Sequence, residues 1–345
     1  MKYEFYSGSY GEPGEDGIIR FCLDTEKGSL ERTAVYRDIR RPSYLGIDAS
    51  KTILYAVQEE VPSGFLHALA IQPDGLWPVC ALSTQGADPC HIASDRFSHS
   101  LFTANYTSGS LAIFQTGEDA MPVALSQLIR HKGHGLCPKR QEAPHIHCAK
   151  ILGNQVFVVD LGLDQVFVYQ LDEKRELWTD TGKRLCLPPG SGPRHLEFHP
   201  SVSGLLYVVC ELSSQIAVFR ETGADYALAQ LLPTLPEDFH GENATAAIKA
   251  QRNLLFVSNR GHDSIAVYRI LENGLLEPTQ IISSGGKAPR DFSVIGNYLA
   301  IANQDSDNIT ILKINHETGN LEPTGIWAPA VKPCCILNPA ERSQP

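Results

Sequence analysis

The sequence predicts an all-β chain: a seven-bladed β-propeller of four-stranded blades, one domain across residues 1–345, closed by N-terminal strands that join the last blade. A pattern of residues recurs seven times along the chain, and each full recurrence carries four short runs of strand-forming residues. The last recurrence stops after its first run, and the N-terminus supplies runs that would complete it. Four strands per unit, repeated around a ring, is propeller organisation.

Each unit opens on a proline or alanine followed by a short apolar run. The anchors Pro42, Pro89, Pro144, Pro193, Ala244, Pro289 and Pro333 are 47, 55, 49, 51, 45 and 44 residues apart. Glycine (28) and proline (22) together make about one residue in seven, close to average, so their placement carries the information rather than their number. The first unit, RPSYLGIDASKTILYAVQEE, starts at Arg41; the next three start at Asp88, Ala143 and Gly192. Units five and six start at Asn243 and Ala288, and the last is only KPCCILNP from Lys332. The runs are rich in Val, Ile, Phe and Tyr and are separated by Gly, Asp, Asn and Ser, which is strand-and-turn chemistry. At the chain start, YEFYSGSYG reads as a second strand, GIIRFCLD as a third and SLERTAVY as a fourth. Helical periodicity is nearly absent, with one short turn expected around Pro236–Asn243. A solenoid is the competing repeat fold, but it needs capping units at its ends, whereas a ring has no open edge.

Apolar residues make up 43% and charged residues 20%, which suits a packed chain and not a disordered one. Lys+Arg 29 against Asp+Glu 39 leaves −10, which argues against nucleic acid and anionic membranes as partners. The first residues lack the apolar segment of a secretory signal, and no stretch approaches the roughly 18 apolar residues of a membrane span. The nine cysteines form no Cys-x-x-Cys pair, so they are expected as reduced, mostly small apolar side chains in a cytoplasmic protein.

In an antiparallel blade the start of strand one and the end of strand two lie at the same end, and strand one lines the central channel. The repeat therefore gathers distant residues at one channel mouth. Strand starts contribute Arg41, His91, His145, His147, Arg194, His195, Arg290 and Lys332. Second-strand ends contribute Gln58, Glu59, Asn105, Asp160, Glu211, Asn259, Arg260, Asn303 and Gln304. A cleft carrying Arg194, Arg260 and Arg290 would be locally positive in an acidic protein, suited to a small anionic ligand. Alternatively, such arginines pair with nearby carboxylates and tie blades together.

Residues i and i+2 on a strand share a face, so His145 and His147 are expected to point the same way, with a general acid/base role for one or the other. His131, His134 and Cys137 could complete a metal set with them, but the spacing matches no zinc signature and no metal or cofactor is expected. His199, in an FHP turn, reads as a turn residue. Cys148 follows His147 but faces the other side of a regular strand, and no Gly-x-Ser-x-Gly occurs, so no nucleophile motif is present. SSGGKAPR at 283–290 lacks the strand-to-helix context of a phosphate loop.

HKGHGLCPKRQEAPHIH (131–147), GPRHLEFHP (192–200), NRGHDSIAVY (259–268), APRDF (288–292) and ANQDS (302–306) together resemble the propeller-type lactonases, over practically the whole chain. That family includes seven-bladed bacterial 6-phosphogluconolactonases and a fungal carboxymuconate lactonising enzyme. The resemblance implies hydrolysis of a small anionic sugar lactone, 6-phosphogluconolactone, to 6-phosphogluconate in the pentose phosphate pathway, at the channel mouth. It places the P-H-x-H histidine on His145, with His147 beside it. The G-P-R-H pair falls on Arg194 and His195, the carboxylate ending the next strand on Glu211, and the later arginines on Arg260 and Arg290. Two departures stand out: Ala247 where the family often has an acid, and Asp291 where asparagine is common.

On this reading Glu211 or His145 takes the proton of water and Arg194 steadies the oxyanion. Arg260 and Arg290 hold the phosphate, while His147 and His195 orient these groups. A lactonase or lactonising enzyme for a different acid is the alternative, as is a non-catalytic protein-binding propeller, which would carry exposed apolar patches on a rim.

Overall fold

Strand-forming runs that are apolar on both faces must be covered on both sides, and a ring of sheets stacked face to face does this. In a computed structural model, which describes residues 1–223 and 225–340, these runs form seven four-stranded antiparallel sheets. The inner strands of blades one to six are Leu45–Ile47, Pro89–Asp95, Ile146–Leu152, Pro193–Phe198, Ala244–Gln251 and Pro289–Ile295. Blade seven orders Pro333–Leu337, Lys2–Ser9, Ile18–Asp24 and Ser29–Tyr36 from the inside outward, so the chain start completes it as expected. Ser7 pairs with Ile336 and Gly8 with Cys335 at this closure. The short turn expected at 236–243 is present, with Phe239 N donating to Pro236 O at 3.2 Å, and the 3-10 turn among the described residues is Gln304–Ser306.

The core lies between neighbouring blades. Phe157, Val159 and Val166 of blade three interleave with Phe198, Leu206 and Val208 of blade four. Tyr6 and Ile18 of blade seven meet Leu54 and Ala56 of blade one in the same manner, so the closing interface is filled like the rest. Both faces of the second strands are thus buried, and Leu205–Cys210 is buried at every residue. The outer strands are half exposed and are joined by glutamines that imitate a strand. Gln280 Nε2 donates to Leu321 O at 3.1 Å, and its Oε1 accepts Leu321 N at 2.8 Å. Gln230 grips Leu276 in the same way, at 2.9 and 2.8 Å.

The inner strands begin with β-bulges, and these shape the channel wall. Register breaks separate Pro89 from His91, Ile146 from Cys148, Pro193 from His195 and Pro289 from Asp291. The extra residues are Cys90, His147, Arg194 and Arg290. A bulge re-aims side chains, and here Arg194 and His195, neighbours in sequence, both line the same chamber, as do Arg290 and Asp291. The pairing also corrects two anchors. Ile146, opposite Asp160, holds the place that Pro193 holds opposite Cys210, so Pro144 lies two residues ahead of the register position. Thr245, opposite Asn259, rather than Ala244, is the counterpart in blade five. Ladder pairing sets register; a proline before the strand only fixes how the chain enters it.

A second recurring device places the residues that follow each second strand. Arg41, Asp88, Gly192, Ala288 and Lys332, each before an anchor proline, adopt positive φ. The carbonyl of each accepts a backbone N–H from across the blade, from Glu59, Tyr106, Glu211, Gln304 and Tyr10 respectively. Those five residues thus occupy equivalent positions around the mouth. Gly192 suits its site twice over: its φ is +60°, and a Cβ there would stand 2.3 Å from Leu212 Cγ.

Candidate active site

The channel mouth carries two charged constellations on different blades. In the first, Arg194 projects from the bulge of blade four and Glu211 from the end of its second strand. Glu211 is buried and accepts from Arg260 Nη2 at 2.7 Å and from Arg140 Nη2 at 2.6 Å, and Arg194 Nε lies 3.1 Å from the same carboxylate. Burial would raise the Glu211 pKa, but Arg260, Arg194 and Arg140 overcome it and hold the group ionised, far below the usual carboxylate range. Three guanidiniums on one carboxylate leave a local excess of positive charge. Arg194 Nη1 also donates to Ala246 O at 2.7 Å, and Arg260 Nε donates to Ala244 O at 3.3 Å, so both are held rigidly.

In the second constellation, Arg290 of blade six donates to the Tyr10 hydroxyl at 2.7 Å and lies 4.9 Å from its ring centroid. The Tyr10 hydroxyl in turn donates to Glu59 Oε1 at 3.2 Å. Glu59 Oε2 is shielded from solvent and makes no hydrogen bond; the Ser43 hydroxyl lies close by without the geometry of one. Burial raises the Glu59 pKa, against the opposing charge of Arg290.

Between the two lies a narrow chamber walled by Arg194, Arg290, His147, His195, Asp291 and Tyr10, among others. Its free volume is about 10 Å³, room for a single water or a single oxygen atom. His147 and His195 are buried in its wall and His91 packs against His195 behind it. Desolvation keeps all three neutral, reinforced by the Arg194 charge at His147 and His195 and by Lys150 and Lys249 at His91. Burial raises the Asp291 carboxyl, which accepts Ile336 N at 2.8 Å and so ties blade six to blade seven. Ala247 is buried in the core between blades five and six, away from the chamber.

The structure brings together Arg194, His195, His147, Arg290, Glu211 and Arg260; His145 is off the chamber wall and meets this group through the Tyr106 ring, which packs on both His145 and His147. His145 precedes its strand and His147 is the bulged residue, so regular strand alternation does not place them, yet both rings pack against Tyr106, at 4.5 and 5.5 Å. The His145 ring stacks on Tyr106 at 4.5 Å, with Nδ1 3.1 Å from Tyr106 O and Nε2 3.2 Å from Glu142 Oε1. His131 is taken up by Asp160 at 2.6 Å and Tyr169 at 3.0 Å, while His134 Nδ1 lies 3.2 Å from the carbonyl of Gly135. These two and Cys137 do not converge with His145 and His147, and among the described residues no three His, Cys, Asp or Glu side chains are arranged to hold a metal ion. His199 accepts Ser201 N at 3.1 Å and is the turn residue expected.

Other members of the expected mouth set serve the frame. Asn105, Asn259 and Asn303 are fully buried; Asn259 Nδ2 donates to Thr234 O at 2.8 Å and Asn303 Nδ2 to Thr310 Oγ1 at 2.9 Å. Asp160 accepts the backbone of His145 at 2.9 Å. Arg41 is bonded by Glu12 at 2.7 Å on the rim. The bulges pair thiols with imidazoles across blades: Cys148 Sγ lies 3.4 Å from His91 Nε2, and Cys90 Sγ lies 3.9 Å from His147 Nδ1. Burial raises both thiols, Cys148 to about 11, so neither is a ready nucleophile.

Sequence reasoning missed Arg140 and Tyr10 altogether and left Glu59 without a role. The signal for Arg140 was the longest anchor interval, where residues 131–145 form a loop over the mouth. Tyr10 becomes visible only when the residues after each second strand are superposed around the closed ring, where it takes the place that Glu59 and Glu211 hold on their blades.

The chain matches the family described as lactonase, 7-bladed beta-propeller, over residues 4–338. It is 32% identical over 349 residues to a 6-phosphogluconolactonase of Bacillus subtilis, covering 97% of this chain and 98% of that one. Among solved structures, a putative 6-phosphogluconolactonase from Bacteroides fragilis superposes with a TM-score of 0.89 at 27% identity, covering 97% of each chain. A periplasmic gluconolactonase of Pseudomonas aeruginosa gives 0.89 at 26% identity, covering 97% of this chain and 98% of that one.

Proposed function

We propose that the chain, which belongs to the lactonase family of seven-bladed β-propellers, hydrolyses a phosphorylated sugar δ-lactone, 6-phosphogluconolactone, to its open-chain acid. The carrying observation is the excess of guanidinium over carboxylate at the mouth of an acidic protein. Arg194, Arg260 and Arg140 share the single charge of Glu211, and Arg290 stands across the chamber.

The chamber admits one oxygen atom, so the body of a sugar lactone lies outside it, with only its carbonyl oxygen or the attacking water reaching in. Arg194 and Arg290, both on the chamber wall, stabilise the oxyanion formed when water adds to the carbonyl carbon. Arg290 therefore serves the reacting carbonyl in this reading, and the phosphate falls to Arg260 and the loop arginine Arg140. Glu211 is too strongly stabilised as an anion to accept a proton readily near neutral pH; it aligns the three guanidiniums. His147 and His195, neutral and packed edge-on at 5.3 Å, exclude water from the chamber wall. The nine cysteines are all free thiols, which supports a reducing, cytoplasmic setting.

The test is hydrolysis of freshly prepared 6-phosphogluconolactone, corrected for spontaneous opening, against the lactone lacking the phosphate. Faster turnover of the phosphorylated substrate is expected, and a rate equal to buffer with both would overturn the proposal. A non-phosphorylated lactone is the second reading, favoured by the neutralisation of one arginine charge by Glu211, and preference for that substrate would establish it. The exposed aromatics that a protein-binding propeller would use, Trp77, Phe97 and Trp327, are spread over blades one, two and six.

A further inference from the structure

Tyr10, Glu59 and Glu211 occupy equivalent positions, each anchored by a backbone N–H donated to the residue before an anchor proline. The N–H to carbonyl distances are 3.1, 3.3 and 2.7 Å. The ring thus carries two carboxylates at equivalent positions, on blades one and four, with Glu59 lying behind Tyr10 and Ser43 of the chamber wall. Their surroundings are opposite. Glu211 is saturated by guanidiniums, whereas Glu59 uses one oxygen for the Tyr10 hydroxyl and keeps the other shielded from solvent and unbonded. An unbonded, desolvated carboxylate oxygen is costly unless it has work to do. When environments push two site carboxylates apart in this way, the one with the raised pKa is suited to proton transfer and the depressed one to holding charge.

We propose that Glu59 is the catalytic base of the lactone-opening reaction. The inference rests on the hydrolase reading above and adds to it the group that moves the proton. Water adds to the carbonyl carbon as it hands one proton to the Ser43 hydroxyl on the chamber wall, whose own proton passes to Glu59 Oε2 behind it; the carbonyl π pair moves to oxygen, facing Arg194 and Arg290. The oxyanion then re-forms the double bond and expels the ring oxygen, which recovers the proton from Glu59 through the same hydroxyl. No covalent enzyme intermediate forms, and Glu59 ends ionised. The Tyr10 hydroxyl, fixed by Arg290, holds Oε1 so that Oε2 stays free.

The groups facing Glu59 are the Arg290 guanidinium, the Tyr10 and Ser43 hydroxyls, the Asp88 carboxylate and the buried thiols of Cys90 and Cys334. Arg290 favours the ionised form, while burial and Asp88 oppose it. The base must be ionised to act, so the rate falls as pH drops through its value. That acidic limb is expected above the ordinary glutamate value of about 4.3.

The experiment compares wild type with Glu59→Gln by steady-state hydrolysis of the phosphorylated and unphosphorylated δ-lactones from pH 4 to 8, subtracting the spontaneous rate. Expected are a fall in kcat of about 100-fold or more, KM within about threefold, an unchanged Tm and loss of the acidic limb. A Glu59→Gln protein that keeps kcat within about threefold and retains the limb overturns the proposal while leaving the hydrolase reading intact. Wild type no faster than buffer on either lactone overturns both. If Glu59→Gln melts far below wild type, Glu59→Asp decides. A reduced kcat with the limb retained supports the proposal, and an unchanged kcat overturns it.

Discussion

Replacing Glu211 with glutamine keeps the side chain's shape and removes the one charge that three guanidiniums share. The three arms differ in weight. Arg140 is 43% exposed and its pairing is worth little, while Arg260 and Arg194 are 16% and 4% exposed and cannot recover their solvation. Breaking a buried pair by removing one partner costs about 3–5 kcal/mol. The low end applies here, because Ala246 O, Ala244 O and Thr245 O still accept from the two buried arginines. Unfolding entropy scales at roughly 2.1 cal/mol/K per residue, or about 0.7 kcal/mol/K for a chain of 345 residues. A loss of about 3 kcal/mol therefore lowers Tm by about 4 °C at pH 7. The folded pKa of Glu211 lies below its unfolded value, so its stabilisation is complete above about pH 4.3 and is lost as pH falls through the folded value. The Tm gap between wild type and Glu211→Gln should accordingly narrow from pH 7 to pH 3, measured by circular dichroism at one scan rate. A gap below about 1 °C at neutral pH, or one that stays constant with pH, would refute the assignment of Glu211 as the ionised hub.

Arg140→Ala removes a guanidinium that is half exposed and belongs to a loop, so Tm should move by less than about 1 °C. Its KM for the phosphorylated lactone should rise about tenfold, equivalent to roughly 1.4 kcal/mol, with no change for the unphosphorylated one; equal effects on both would deny Arg140 a part in phosphate binding. Gln280→Ala breaks the paired hydrogen bonds to Leu321 and should cost about 1–3 kcal/mol without altering kcat; urea unfolding beside the lactone assay reads both.

The seven blades were legible because they are local. Each strand run, such as FVVD or YVVC, and each turn between runs is written in adjacent residues, and the incomplete last unit with its missing strands at the chain start points to closure. The charged character of the mouth was legible for the same reason: a repeat converts equivalent sequence positions into one ring. The site's chemistry was not local. A bulge at the head of an inner strand turned neighbouring residues into neighbours on one wall, and it put His147 on that wall while His145 stayed behind it on the other side of the Tyr106 ring contact. Arg140 reaches Glu211 from 71 positions away, and Tyr10 reaches Arg290 across the closure from 280 away. Whether a carboxylate is an ionised hub or a free base depends on how many donors reach it and how much water is removed. Sequence alone determined that Glu211 and Glu59 would stand at one mouth. Only the tertiary structure, by directing three guanidiniums to one and leaving an oxygen of the other unbonded, decided how differently the two can act.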